Sequence, residues 1–143
     1  MKFVYNDGGR SLAGYKGSSG DCVTRAIAIA TGIPYQDVCD QIEKLSSKER
    51  VSKRKKRKSN PLKGVYKNTY KKLLENLGWK WVACMTIGSG CKVHLRENEL
   101  PVGKTLIVSV SRHLTCVKNG EIHDTYNPDR SENRCVYGYF VKD

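Results

Sequence analysis

Residues 17–32 read GSSGDCVTRAIAIATG, and the fold turns on how this stretch is read. Small, flexible residues lead into Asp21, a residue type that closes helix N-termini, and an acid there also suits the helix dipole. Cys22, Val23, Ala26, Ile27 and Ala30 then recur at helical spacing, while Ala28 and Ile29 widen the apolar surface. The spacing predicts a helix central to the core, ended at Thr31-Gly32 by a glycine stop. A cysteine in the first turn of such a helix either packs as a small apolar residue or becomes a thiolate.

Working outward, Pro34 opens a second helix, PYQDVCDQIEKL, with Val38, Ile42 and Leu45 on one side. A third helix covers YKNTYKKLLENLG, with Tyr70, Leu73, Leu74 and Leu77 facing inward and Gly78 as its stop. Periodicity then changes. KWVACMTI, KTLIVSVS, HLTCVKN, EIHDTYN and CVYGYFVKD read as strands, and Asn119-Gly120 is a strong two-residue hairpin turn. Helices first and strands afterwards predict one α+β domain over residues 1–143, its N-terminal helices packed on an antiparallel sheet.

The net charge of +12 is concentrated in KERVSKRKKRK, residues 48–58, which carry +7 and leave +5 on the rest. Like charges repel in any compact arrangement, so a solvated, flexible insertion is expected at about 46–63, with weak nucleic-acid contact as its minority use. The motifs of RNA-binding sheets and helix-turn-helix domains are absent. No apolar run approaches ~18 residues, and MKFVYNDGGR turns polar after five residues, unlike a secretory signal. The expectation is a cytoplasmic protein with no membrane partner, whose six cysteines are free thiols, metal ligands or a nucleophile.

Of the three histidines, His94, His113 and His123, the second begins a strand. Across the Asn119-Gly120 turn Lys118 pairs with Glu121, so His113 falls opposite a position near Tyr126. Asp124 and Asn127 are then both within reach of the imidazole, where either would orient the ring. Blander roles compete: Cys22 as a packed thiol, His113 as a structural histidine, Asp124 capping a turn or pairing with Arg130. Cys91 and His94, with Cys84 upstream, have part of a zinc spacing, but a structural site needs four ligands and no CxxC pair occurs. No metal and no cofactor are expected. Gly88, Gly90 and Cys91 in GSGCKVH are expected to face a substrate, because glycines let backbone approach a ligand closely. Cys39, Cys116 and Cys135 read as packing residues, and Trp79 and Trp81 as core.

A cysteine at the N-terminus of the first core helix, a histidine at a strand start and an Asp or Asn on the next strand resemble the papain-like cysteine peptidase superfamily. The layout is similar to small bacterial leader-processing and double-glycine peptidases. GDCVTRAIAIATG, GSGCKVHLRENELP and SRHLTCVKNGEIHDTYNP also resemble segments of small phage-encoded proteins, so the likeness covers most of the chain outside the basic tract. It implies a papain-like fold and a hydrolase cutting a peptide, isopeptide or related amide bond in a protein or peptide substrate, such as a host or virion protein. In that reading Cys22 is the nucleophile, His113 the general base and acid, and Asp124 the orienting group, with Asn127 its substitute. The superfamily usually carries Gln or Asn a few residues before the cysteine as an oxyanion donor, and residues 7–22 hold neither. Asn6 folding back, or Ser19 (with Ser18 and Tyr15 as alternatives), is expected to serve beside the Cys22 backbone N–H. Two rivals remain: a non-catalytic binding or inhibitor protein on the same fold, and a nucleic-acid-associated protein that uses the Lys/Arg tract.

Overall fold

Along β3 (Thr105–Val110), Leu106, Val108 and Val110 enter one apolar cluster and Ile107 enters another. Successive strand residues point to opposite faces, so this sheet is covered on both. The structure, a computed structural model describing residues 1–17 and 20–142, shows what covers each face. The sheet has six strands in the order β1 (Lys2–Tyr5), β5 (Glu121–Asp124), β4 (His113–Lys118), β3, β6 (Val136–Val141) and β2 (Lys80–Ala83). Three helices, α1 (Cys22–Thr31), α2 (Tyr35–Ser46) and α3 (Lys67–Asn76), supply Ile27, Ile42 and Leu74 to the cluster containing Ile107, Leu114 and Phe140. Leu95 and Leu100, in the stretch around the 3₁₀ turn Glu97–Glu99, join Leu106, Val108, Val117 and Ile122 in the second cluster. The chain is thus a mixed α+β structure.

Two expectations need correcting. The sheet is not wholly antiparallel, because β1 pairs in parallel with β5, Phe3 lying opposite Ile122 and Tyr5 opposite Asp124. KFVY is too short to show a period, and only the tertiary partner reveals it as a strand. Asp21 precedes α1, but its carboxylate makes no cap bond; instead it accepts from Arg25 and, at 2.6 Å, from the Tyr35 hydroxyl. A buried guanidinium and a buried phenol hydroxyl outcompete the backbone N–H groups for it. The glycine stop is as expected, with Gly32 at φ 75° and its N–H donating to Ala28 O at 3.0 Å.

The basic tract is tied at its base. Glu49 accepts from the Ser59 N–H at 2.6 Å, the Ser59 hydroxyl at 2.5 Å and the Thr69 hydroxyl, while the Tyr66 hydroxyl donates to Arg57 O at 2.8 Å. Just beyond it, Pro61 O accepts from the buried Thr24 hydroxyl of α1 at 2.6 Å. No helix among the described residues is long and apolar enough to cross a membrane.

At the β6–β2 edge, the Trp81 and Phe140 rings pack at a tilt of 53° with centroids 4.8 Å apart, and the Trp81 ring crosses Gly138. A Cβ at Gly138 would lie 2.4 Å from that ring and 2.6 Å from Val82 O. Neither neighbour is a loose side-chain end, so Gly138→Ala is expected to lose about 1–3 kcal/mol of stability, read as a lower midpoint in urea or thermal unfolding.

Candidate active site

Asn119 and Gly120, both at positive φ, turn β4 onto β5 with Lys118 opposite Glu121 and Cys116 opposite His123. That register, continued, sets Thr115 beside Asp124 and His113 across from Tyr126. Side-chain bonds follow from it. Asp124 Oδ2 lies 2.7 Å from His113 Nε2 and accepts the Thr115 hydroxyl at 2.6 Å, while Oδ1 accepts the Thr125 N–H at 2.7 Å. The Tyr126 hydroxyl stands 3.2 Å from His113 Nδ1. An ionised carboxylate only accepts, so Nε2 carries a proton and Nδ1 is the nitrogen left to face a thiol.

Helix α1 supplies that thiol. Cys22 is its first residue, where unpaired N–H groups and the helix dipole favour an anion. Burial alone would raise the Cys22 pKa, but the hydrogen bond and charge of His113, the Leu114 N–H and Arg25 reverse the balance and hold it below the ordinary thiol value. The other free cysteines go the opposite way: burial pushes Cys39 up to about 11 and Cys116 up to about 12, and raises Cys84 as well. Of the four, only Cys22 has its pKa lowered. Burial works against His113, yet hydrogen bonds and charge from Asp124 and Cys22 raise it to about 8. Asp124 is held below the usual carboxylate range: its burial is outweighed by the hydrogen bonds from His113 and Thr115.

Arg25, one turn after Cys22, ties the two halves together. Its guanidinium pairs with Asp21 and reaches Asp124 Oδ1 at 3.4 Å, with all three side chains buried. Asp124 therefore pairs with Arg25, and Arg130 is an exposed loop residue elsewhere.

A cleft of about 690 Å³ opens over the pair. Its walls bring Lys63, Lys67, Arg112 and Arg25 together with four tyrosines and, among the described residues, no carboxylate. One wall depends on a missing side chain, because a Cβ on Gly20 would sit 2.7 Å from Lys63 O. Glycine lets residues 63–65 run against the approach to α1, which narrows the cleft beside the sulfur.

The remaining sequence candidates go elsewhere. Asn127 Oδ1 accepts the Asp129 N–H at 3.0 Å in a local turn, so Asn127 does not orient His113. Short Asn side chains favour such bonds to backbone two residues on. Asn6 Oδ1 accepts the Gly8 N–H at 2.9 Å and its amide nitrogen lies 3.4 Å from His123 Nδ1; it does not line the cleft and offers no oxyanion donor there. Ser19, with Ser18, lies outside the described residues. Gly88, Gly90 and Cys91 do not line the cleft, and Cys91 is disulfide-bonded to Cys135, which corrects the reading of Cys135 as a packing residue. Thr115, Tyr126 and Arg25 were missed. Hairpin register contained the signal for the first two, while Arg25 carried only the weak hint of a cation at i+3 from the thiol.

No protein-family model, no curated protein and no solved structure matches this chain.

Because His113 is the largest of the influences lowering the Cys22 pKa, iodoacetamide is expected to alkylate Cys22 at lower pH than Cys84. His113→Asn should move Cys22 alkylation above the ordinary thiol range, since burial then prevails. Peptide mapping of alkylated cysteines against pH checks both.

Proposed function

We propose that this chain is a cysteine hydrolase with a papain-like arrangement, cleaving an amide bond in a peptide or protein through Cys22, His113 and Asp124. One observation carries the reading: the free cysteine whose pKa is lowered lines the same cleft as the imidazole that lowers it, and that imidazole is held by its Nε2 2.7 Å from a buried carboxylate. That is the nucleophile–base–orienter chain of covalent catalysis.

In this mechanism the Cys22 thiolate attacks the carbonyl carbon, and the carbonyl oxygen becomes an oxyanion beside the first N–H groups of α1. The tetrahedral species collapses as the His113 imidazolium gives its proton to the departing nitrogen, leaving an acyl thioester on Cys22 and a free amine. Water then attacks the thioester while neutral His113 takes its proton; loss of the thiolate leaves a carboxylic acid and restores the ion pair. Asp124 holds the ring for both transfers. The cationic cleft walls favour substrates with acidic side chains near the scissile bond.

A non-catalytic binding role has one observation in its favour: no Asn or Gln lines the described cleft to supply a side-chain oxyanion donor. Peptide turnover separates the two readings.

Incubation with a mixed peptide library, followed by mass spectrometry, is expected to show cleavage that Cys22→Ala abolishes and His113→Ala slows at least ~10²-fold. An acidic peptide should be cut faster than its lysine-substituted counterpart, with the advantage shrinking as salt rises. Reactivity of Cys22 with an electrophilic peptide probe but no turnover of any library member would favour the binding protein. kcat/KM should fall as pH rises through about 8, where His113 loses the proton needed by the leaving amine. Its acid limb belongs to protonation of the thiolate, below the ordinary thiol value.

A further inference from the structure

On the face of the sheet away from the helices, Cys91, His94 and Cys135 bring their side-chain donor atoms within 4.8 Å of one another. We propose that, when Cys91 and Cys135 are reduced, these residues form a zinc site: two thiolates and His94 Nε2 as ligands, with water in the fourth position. Nothing in the hydrolase reading requires it.

Three features support a metal rather than a disulfide alone. First, His94 is aimed: its Nε2 stands 3.5 Å from Cys91 Sγ, a position a disulfide does not need an imidazole to fill. Second, the opposite ring nitrogen is fixed. His94 Nδ1 lies 3.2 Å from Glu99 Oε1, and the other oxygen of that carboxylate accepts from Arg96 at 3.0 Å. A carboxylate on Nδ1 sets the tautomer that leaves the Nε2 lone pair free, the arrangement found behind zinc-bound histidines. Third, the backbone already holds the ligands together. His94 and Cys135 form an isolated antiparallel bridge, the Leu95 N–H donates to Arg134 O at 2.8 Å and the Val136 N–H to Val93 O at 2.8 Å.

The cysteine Cα atoms are 5.8 Å apart. Tetrahedral zinc with Zn–S bonds of about 2.3 Å needs sulfurs about 3.8 Å apart, which side-chain torsions at that Cα spacing can supply. Cys91 is exposed and the other two ligands are half-buried, so water has access to the fourth position. Loading is balanced simply: each thiol releases its proton to solvent, and two thiolates with one neutral imidazole bind one Zn²⁺. The disulfide is the metal-free, oxidised form. A phosphine regenerates the site by reducing the disulfide to two thiols, with water supplying the oxygen of the phosphine oxide.

The test uses the full chain, reduced with a phosphine and titrated with Co²⁺ as a spectroscopic stand-in for zinc. One Co²⁺ per chain is expected, with thiolate charge-transfer and tetrahedral d–d bands that Zn²⁺ abolishes. Cys91→Ser and Cys135→Ser should lose the charge-transfer band, and Glu99→Gln should weaken binding ~10- to 100-fold; Cys22→Ala and Cys84→Ser should leave both unchanged. In wild type, Zn²⁺ should protect Cys91 and Cys135 from iodoacetamide but not Cys22 or Cys84, which tests the site without any variant. Failure of the reduced chain to take up Co²⁺, or an identical spectrum and protection pattern without Cys91 or Cys135, would overturn the proposal. Peptide cleavage by Cys22 is read separately, so either reading can fail alone.

Discussion

The buried Arg25 guanidinium is the constraint on which the site depends. It sits on α1 one turn past Cys22 and joins Asp21, at the helix entrance, to Asp124, at the end of β5. Removing charges from water is costly, and their attraction offsets that cost only where geometry and further hydrogen bonds are good. Here the acids gather such support: a hydrogen bond from Tyr35 and an ion pair with Arg10 on Asp21, and hydrogen bonds from Thr115, Thr125 and His113 on Asp124. The network fixes the start of a helix against the end of a strand, two elements that chain connectivity does not hold together. A thiol and an imidazole ninety-one positions apart line one cleft because of it.

Carboxylate placement also divides labour among chemically similar groups. Asp21 faces Arg25, Arg10 and a tyrosine, so it organises the helix entrance. Asp124 faces His113, so its charge favours the imidazolium. The same logic sorts the cysteines. Burial and nearby carboxylates push the pKa values of Cys39 and Cys116 up, whereas Cys22 has a cationic partner and a helix N-terminus. Burial is shared by all three, and the neighbouring charge decides which has its pKa lowered.

Each face of the sheet has its own task. Helices cover one face and carry the thiol, so the cleft opens where α1 meets the strand ends. Residues 91–100 cover the other, held by Leu95 and Leu100 in the apolar cluster and by the bond between Cys91 and Cys135. Such a short segment has little apolar area of its own, and a covalent or metal cross-link to the start of β6 compensates for that.

The amino-acid sequence by itself determined the local elements. Apolar spacing marked α1 to α3, Gly32 marked a helix end, and Asn119-Gly120 fixed the β4–β5 register, because these signals act within a few residues. From that register it placed both Asp124 and Asn127 within reach of His113. The tertiary structure decided the rest. KFVY became a strand only beside β5, and Asn127, by hairpin register no farther from the ring than Asp124, turned to the Asp129 N–H. Asn6 went to His123 and Gly8, and Cys91 and Cys135 met across forty-four positions. Register fixes where a Cα lies, but the choice of partner depends on competing hydrogen bonds and charges contributed from distant segments, and no local pattern encodes those.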